Sequence, residues 1–216
     1  MSFLNQLKTQ AQALQQERIA QDQHLGQLTA QTEQACRLVL SYLEDLARQL
    51  NVIEPAGPEF SLDGRTPWPP MKLVDFRVDA RRKTLRDREV FDYVAMGWQV
   101  VPRAGGATTG TVSVNFPTDM KRVEDRLAMG PVRHERYQVR DADRDNVLHE
   151  VRYEYVTQTR GSVLATAAHE HGQVRFRLLN TSGFEIVQTD VPVARIGHDL
   201  LDELAKRIVG QPSAFV

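Results

Sequence analysis

The first proline of this chain stands at position 55, and the segment before it repeats its apolar residues at steps of three and four. Counting from Leu4, the series runs Leu4, Leu7, Ala11, Leu14, Arg18, Gln21, Leu25, Leu28, Thr32, Ala35, Val39, Tyr42, Leu46 and Gln49. Ten of the fourteen are apolar, the exceptions being Arg18, Gln21, Thr32 and Gln49. This is the a/d spacing of a coiled-coil seam and predicts one long helix with a narrow apolar stripe. Glutamine fills much of the remaining surface, and its unbranched, uncharged side chain suits a helix. Gly26 costs about 1 kcal/mol relative to Ala at a helix interior. From Ala35 the apolar face broadens to include Cys36, Leu38, Leu40, Leu43, Ala47 and Leu50, the pattern of a helix docked on a sheet. The reading is therefore a projecting or partner-binding helix over 1–33 and an α+β domain over 34–216, whose first element is the docked helix 34–51.

Five of the ten prolines fall between Pro55 and Pro70, which makes 52–71 a connector rather than a helix or a central strand. Beyond it the period changes to two. Val74, Phe76, Val78 and Ala80 alternate with Asp75, Arg77 and Asp79, and Val94, Met96, Trp98 and Val100 alternate in the next segment. A third strand is expected at 109–116. A short helix follows near 119–129, with Val123 and Leu127 on one face. Five more strands are expected at 132–140, 147–157, 161–168, 173–180 and 184–191, separated by the turn signals DADRDN, TRG, EHG and NTSG. The chain closes with the amphipathic helix 198–209, stopped by Gly210 and Pro212. The fold class expected is α+β: a long N-terminal helix, a seven- to eight-stranded, mostly antiparallel sheet over 72–191 with one inserted helix, and a C-terminal amphipathic helix.

Composition limits the function classes. The 27 basic and 28 acidic residues leave a net charge of −1, so no global field draws in nucleic acid or an anionic membrane. The seven cations Lys72, Arg77, Arg81, Arg82, Lys83, Arg86 and Arg88 face the four anions Asp75, Asp79, Asp87 and Glu89, a local excess of three. The cluster could hold an acidic partner or phosphates, but a solvated strand edge and turn is the main reading; too few nucleic-acid phosphates could be neutralised together, and no nucleic-acid partner is expected. A single cysteine, no secretory pattern at the start and no apolar run near 20 residues give the expectation of a cytoplasmic protein without a membrane span.

Motifs of catalysis are missing from the sequence. GxGxxG, GxSxG, HExxH and CxxC do not occur, and Gly105 and Gly110 have Walker-type spacing but are followed by Thr111 and Val112 and lead into a strand. His169 and His171 share a spacing that metals use, yet the adjacent Gly172 reads as a solvent-facing hairpin tip. The His–Glu pairs at 134–135 and 149–150 read as charged rows of neighbouring strands. Cys36, on the broad apolar face, reads as an inert buried thiol. His198 and Asp199 read as the capping and first-turn residues of the last helix.

No cofactor, metal or catalytic residue follows from these features. The leading expectation is a non-catalytic interaction or assembly protein. Its partner-binding residues would be Leu4, Leu7, Leu14, Leu25 and Leu28, and its partner another helix, most simply its own copy in a homodimer. The alternative is a small-molecule binding module with an apolar pocket between a curved sheet and the C-terminal helix. Phe76, Trp98, Tyr153, Tyr155 and Phe176 would line that pocket.

Overall fold

A computed structural model of the chain describes residues 3–141 and 147–215, with the backbone alone at 141 and 147–149. Most of the expected DADRDN turn and the side chain of His149 lie outside the described residues. The first helix, α1 (Phe3–Ile53), runs unbroken for 51 residues, about 76 Å at 1.5 Å per residue. It ends where Glu54 takes a left-handed conformation with φ 45° and Pro55 forbids another turn.

Eight strands follow, all paired antiparallel: β1 (Met71–Leu85), β2 (Arg88–Pro102), β3 (Thr109–Val114), β4 (His134–Asp141), β5 (Val147–Val156), β6 (Thr159–Ala168), β7 (Gln173–Leu179) and β8 (Ile186–Pro192). The α+β class and the inserted and terminal helices, α2 (Pro117–Met129) and α3 (His198–Ile208), match the sequence reading. The strands divide over two sheets, one of order β1-β2-β6-β7-β8 and one of order β3-β5-β4. The corner is Thr157–Gln158. The chain leaves β5 in the small sheet and enters β6 in the large one, and the Thr157 N–H donates to the Thr108 carbonyl at 2.9 Å.

The C-terminal half of α1 lies across the large sheet beside α3. Val39, Leu43, Ala47 and Leu50 meet Val94, Met96, Val163, Val174, Phe176 and Leu178 in one core, with Leu201, Leu204 and Ile208 from α3. In the small sheet, Val112, Val114, Val151 and Tyr153 form a buried row that, with Val123 and Leu127 of α2, belongs to the same core.

The long β1–β2 ribbon carries two register shifts, and a polar side chain of α1 binds the ribbon at each. At the first, Asp75 adopts φ 57° and breaks the pairing between Val74 and Arg77. Asn51 then accepts the Phe76 N–H at 2.7 Å and donates to the Phe76 carbonyl at 2.9 Å, replacing both lost ladder bonds. The bulge reverses the alternation. Leu73 and Phe76 are buried, and Val74 is only half-buried, not aligned with Phe76, Val78 and Ala80 as strict alternation predicts. At the second shift, between Arg81 and Arg82, the Phe91 N–H donates to the buried Glu33 carboxylate at 2.5 Å. The Phe91 carbonyl accepts from His169 Nε2 at 2.7 Å.

His169 is therefore a core residue, 3% exposed, and not part of an open hairpin tip; only His171 faces water there. Cross-strand charge pairing also fails as the account of the His134–Glu135 pair. His134 sits opposite Tyr155, and Glu135 opposite the like-charged Glu154. The residue before α3 is Gly197, with His198 already inside the helix, so no side chain caps it.

Candidate functional site

The stripe on α1 divides where the helix meets the domain. Every residue from 3 to 24 is exposed, whereas Leu25 and Leu28 are half-buried. Leu28 reaches the β7 hairpin so closely that a Cβ on Gly172 would come within 2.8 Å of its Cδ2. Of the five leucines read as partner-binding, Leu4, Leu7 and Leu14 remain in the free segment, 58%, 45% and 58% exposed. Phe3 and Ile19 join them at 72% and 51%. These two stand outside the strict a/d series: Phe3 flanks the stripe, and Ile19 lies about 100° round the helix from its centre.

Besides the Asn51 bonds to Phe76, the domain provides two polar anchors for this helix. Arg82 bridges Glu33 at 3.2 Å and lies over the Phe91 ring at 4.6 Å, which offsets the cost of a carboxylate at the helix–sheet interface. Burial first, and then the Glu33 charge, push the Cys36 thiol up to about 12, so it stays protonated and unreactive near neutral pH. On the far side, Tyr42 donates to Asp202 of α3 at 2.6 Å.

The five aromatic residues read as a pocket are all buried and do not converge on one cavity. Phe76 stacks on Trp98, with ring centroids 5.6 Å apart. Tyr155 stacks on Trp68 at 5.6 Å, in a cluster with Phe60 and Phe184. Phe176 packs edge-on against Phe215. The Tyr153 hydroxyl donates to Glu124 of α2 at 2.8 Å, beside Arg136. Leu201, Leu204, Ile208 and Phe215 are buried in the same core, so the space beneath α3 is occupied by packed side chains.

The cations of the β1–β2 ribbon are largely matched. Lys72 bridges Glu54, Arg77 bridges Asp75, Arg82 bridges Glu33 and Glu89, Lys83 bridges Asp92, and Arg86 bridges Glu170. Among the described residues there is no group of three or more His, Cys, Asp and Glu side chains able to hold a metal ion. Among the same residues no helix is long and apolar enough to cross a membrane. Comparison with protein-family models, with curated proteins and with solved structures returns no match for this chain.

Proposed function

We propose that this protein is a non-catalytic assembly module that pairs through residues 3–24 with the same segment of a second copy. One observation carries the reading: Phe3, Leu4, Leu7, Leu14 and Ile19 stand exposed on a helical segment that projects beyond the domain to which the rest of the helix is anchored. A helix of this length without tertiary support is marginal in water, and a partner helix supplies the missing apolar contact.

The charges of the segment favour an antiparallel pair of identical chains. A parallel in-register pair opposes Arg18 to its own copy in the seam and brings Glu17 beside Asp22 of the other helix. In the antiparallel register that uses the free segment, Leu14 faces Ala11 of the other helix, and Leu7 faces Arg18. The stem of Arg18 covers Leu7 while its guanidinium reaches water. A single buried thiol and a near-neutral charge suit a cytoplasmic setting for such a protein.

The test is sedimentation of the full chain over a concentration series, combined with a spin label on Asn5→Cys. Cys36 is buried and protonated and stays unlabelled. A monomer–dimer equilibrium is expected, with the labels separated by about 23 Å along the helix axis. A monomer throughout the series sinks the assembly reading. Labels in near contact leave the dimer standing but sink the antiparallel arrangement.

A further inference from the structure

At the corner where the chain passes from the small sheet to the large one, a groove of about 340 Å³ opens between the strand ends. Its ionisable lining consists of Arg133 and Arg160, joined by the neutral polar side chains of Gln99, Thr109, Gln158 and Thr159. A second depression of about 460 Å³ shares Gln99, Pro131 and Arg160 with it and adds Arg77 and Ser162. The one acid in this second depression, Asp75, is engaged by Arg77 at 2.9 Å. Neither Arg133 nor Arg160 has a carboxylate within salt-bridge distance among the described residues, whereas the cations of the β1–β2 ribbon are largely paired.

Hydrogen bonds hold the backbone of both arginines. The Arg160 carbonyl accepts from Asn180 Nδ2 at 2.7 Å, and the Arg133 carbonyl accepts the Val156 N–H at 2.9 Å. Thr159 Oγ1 donates to the Gly130 carbonyl at 2.8 Å. Position 130 must be glycine, since a Cβ there would lie 1.9 Å from that hydroxyl. The Thr157 hydroxyl makes three further hydrogen-bonding contacts of 3.0 Å with Thr108, which stands between the groove residues Ala107 and Thr109. Arg133 and Arg160 thus line one groove together, with neutral polar side chains beside them and no carboxylate partner among the described residues. That is the arrangement that binds an oxyanion by two-pronged, charge-assisted hydrogen bonds. The volume lies at the small end of ligand sites and suits a compact ligand rather than a polymer strand.

We infer that this groove binds a compact phosphate or diphosphate group, with Arg133 and Arg160 as its anion-binding pair. The inference is independent of the pairing of the N-terminal helix, since the groove is built from the sheets and their connecting loop. The test titrates pyrophosphate, citrate and a short single-stranded oligonucleotide into the full chain at about 150 mM salt, following the arginine Nε–Hε resonances. Pyrophosphate should move the Arg133 and Arg160 signals with a dissociation constant of about 1 mM or tighter. The exposed substitutions Arg133→Ala and Arg160→Ala should each weaken it about tenfold or more, and Arg175→Ala, on another surface, should not. Citrate binding as tightly as pyrophosphate makes the ligand a carboxylate and overturns the phosphate assignment. Preference for the oligonucleotide overturns the small-molecule assignment. Unmoved Arg133 and Arg160 signals, or binding that survives the double substitution, overturn the site.

Discussion

Replacing Leu4, Leu7 and Leu14 together with Gln tests the pairing of the projecting helix without disturbing the fold. The three side chains are about half exposed in the single chain, and full burial of a leucine is worth about 1.5–3 kcal/mol. Covering the remaining surface of six leucines in a pair therefore contributes about 5–10 kcal/mol. Association costs about 4–15 kcal/mol in lost freedom, so Phe3 and Ile19 and the backbone contacts around Ala11 have to supply the rest, and the pair forms weakly. Gln is close to Leu in helix propensity, so the segment keeps its helical tendency while the apolar contribution disappears. Leu25 and Leu28 are left in place because they touch the domain. The expected result is a drop in dimer affinity of at least about a thousandfold by sedimentation equilibrium, to the monomer mass. Fluorescence of the buried Trp68 and Trp98 and the thermal midpoint should match the parent. A variant that keeps the dimer mass, or one that loses the core fluorescence, refutes the reasoning.

Gly26→Ala should raise stability by about 0.5–1 kcal/mol in a thermal melt, because a Cβ at this helical position meets nothing within 4 Å. Acid should weaken the connector turn at Asp63. Burial alone raises this carboxyl, but the N–H groups of Thr66 and Arg65 and the hydroxyls of Thr66 and Ser61 outweigh it and hold it at about 2. A folded value below the unfolded one means the stabilisation is present above about pH 4 and is lost as pH falls toward 2. Asp63→Asn should therefore cost about 1–2 kcal/mol in urea at pH 7 and nothing near pH 2. The β1–β2 ribbon should bind no nucleic acid at about 150 mM salt in a filter or anisotropy assay, since most of its cations already hold carboxylates; submicromolar, salt-sensitive binding would contradict this.

The elements themselves were legible because each depends on a local period. The 3–4 spacing of α1, the alternation in β2 and β6 and the amphipathic α3 need only nearby residues to be read. The partition into two sheets was not: the TRG signal at 159–161 falls inside β6, and a break signal is the same whether the next strand returns to its neighbour or crosses to another layer. Position 75 was equally opaque. An Asp in a strand pattern reads as the solvent side, and only the long-range bonds from Asn51 make the left-handed bulge tolerable. His169 was misplaced for a related reason. Gly172 does mark a turn, but His169, the first residue after β6, is still buried, where the Phe91 carbonyl needs a donor. One signal for the site was available in Glu33, a carboxylate at the edge of the broad apolar face of α1, since such a group has to find a cation and a donor. The groove at Arg133 and Arg160 left no sequence signal, because it joins residues from strands whose neighbours only the topology defines.

Glu33 and Asn51 lie 18 residues apart on α1, five full turns, so they project from the same side of the helix about 27 Å from one another. Each grips a different bulge of one β ribbon. A pull on the projecting end runs along the helix axis and loads both grips at once, in shear, where a single contact would open by peeling. The two irregularities in the ribbon thus hold the helix at two separated points, which resist its sliding along or rotating on the sheet better than one contact would.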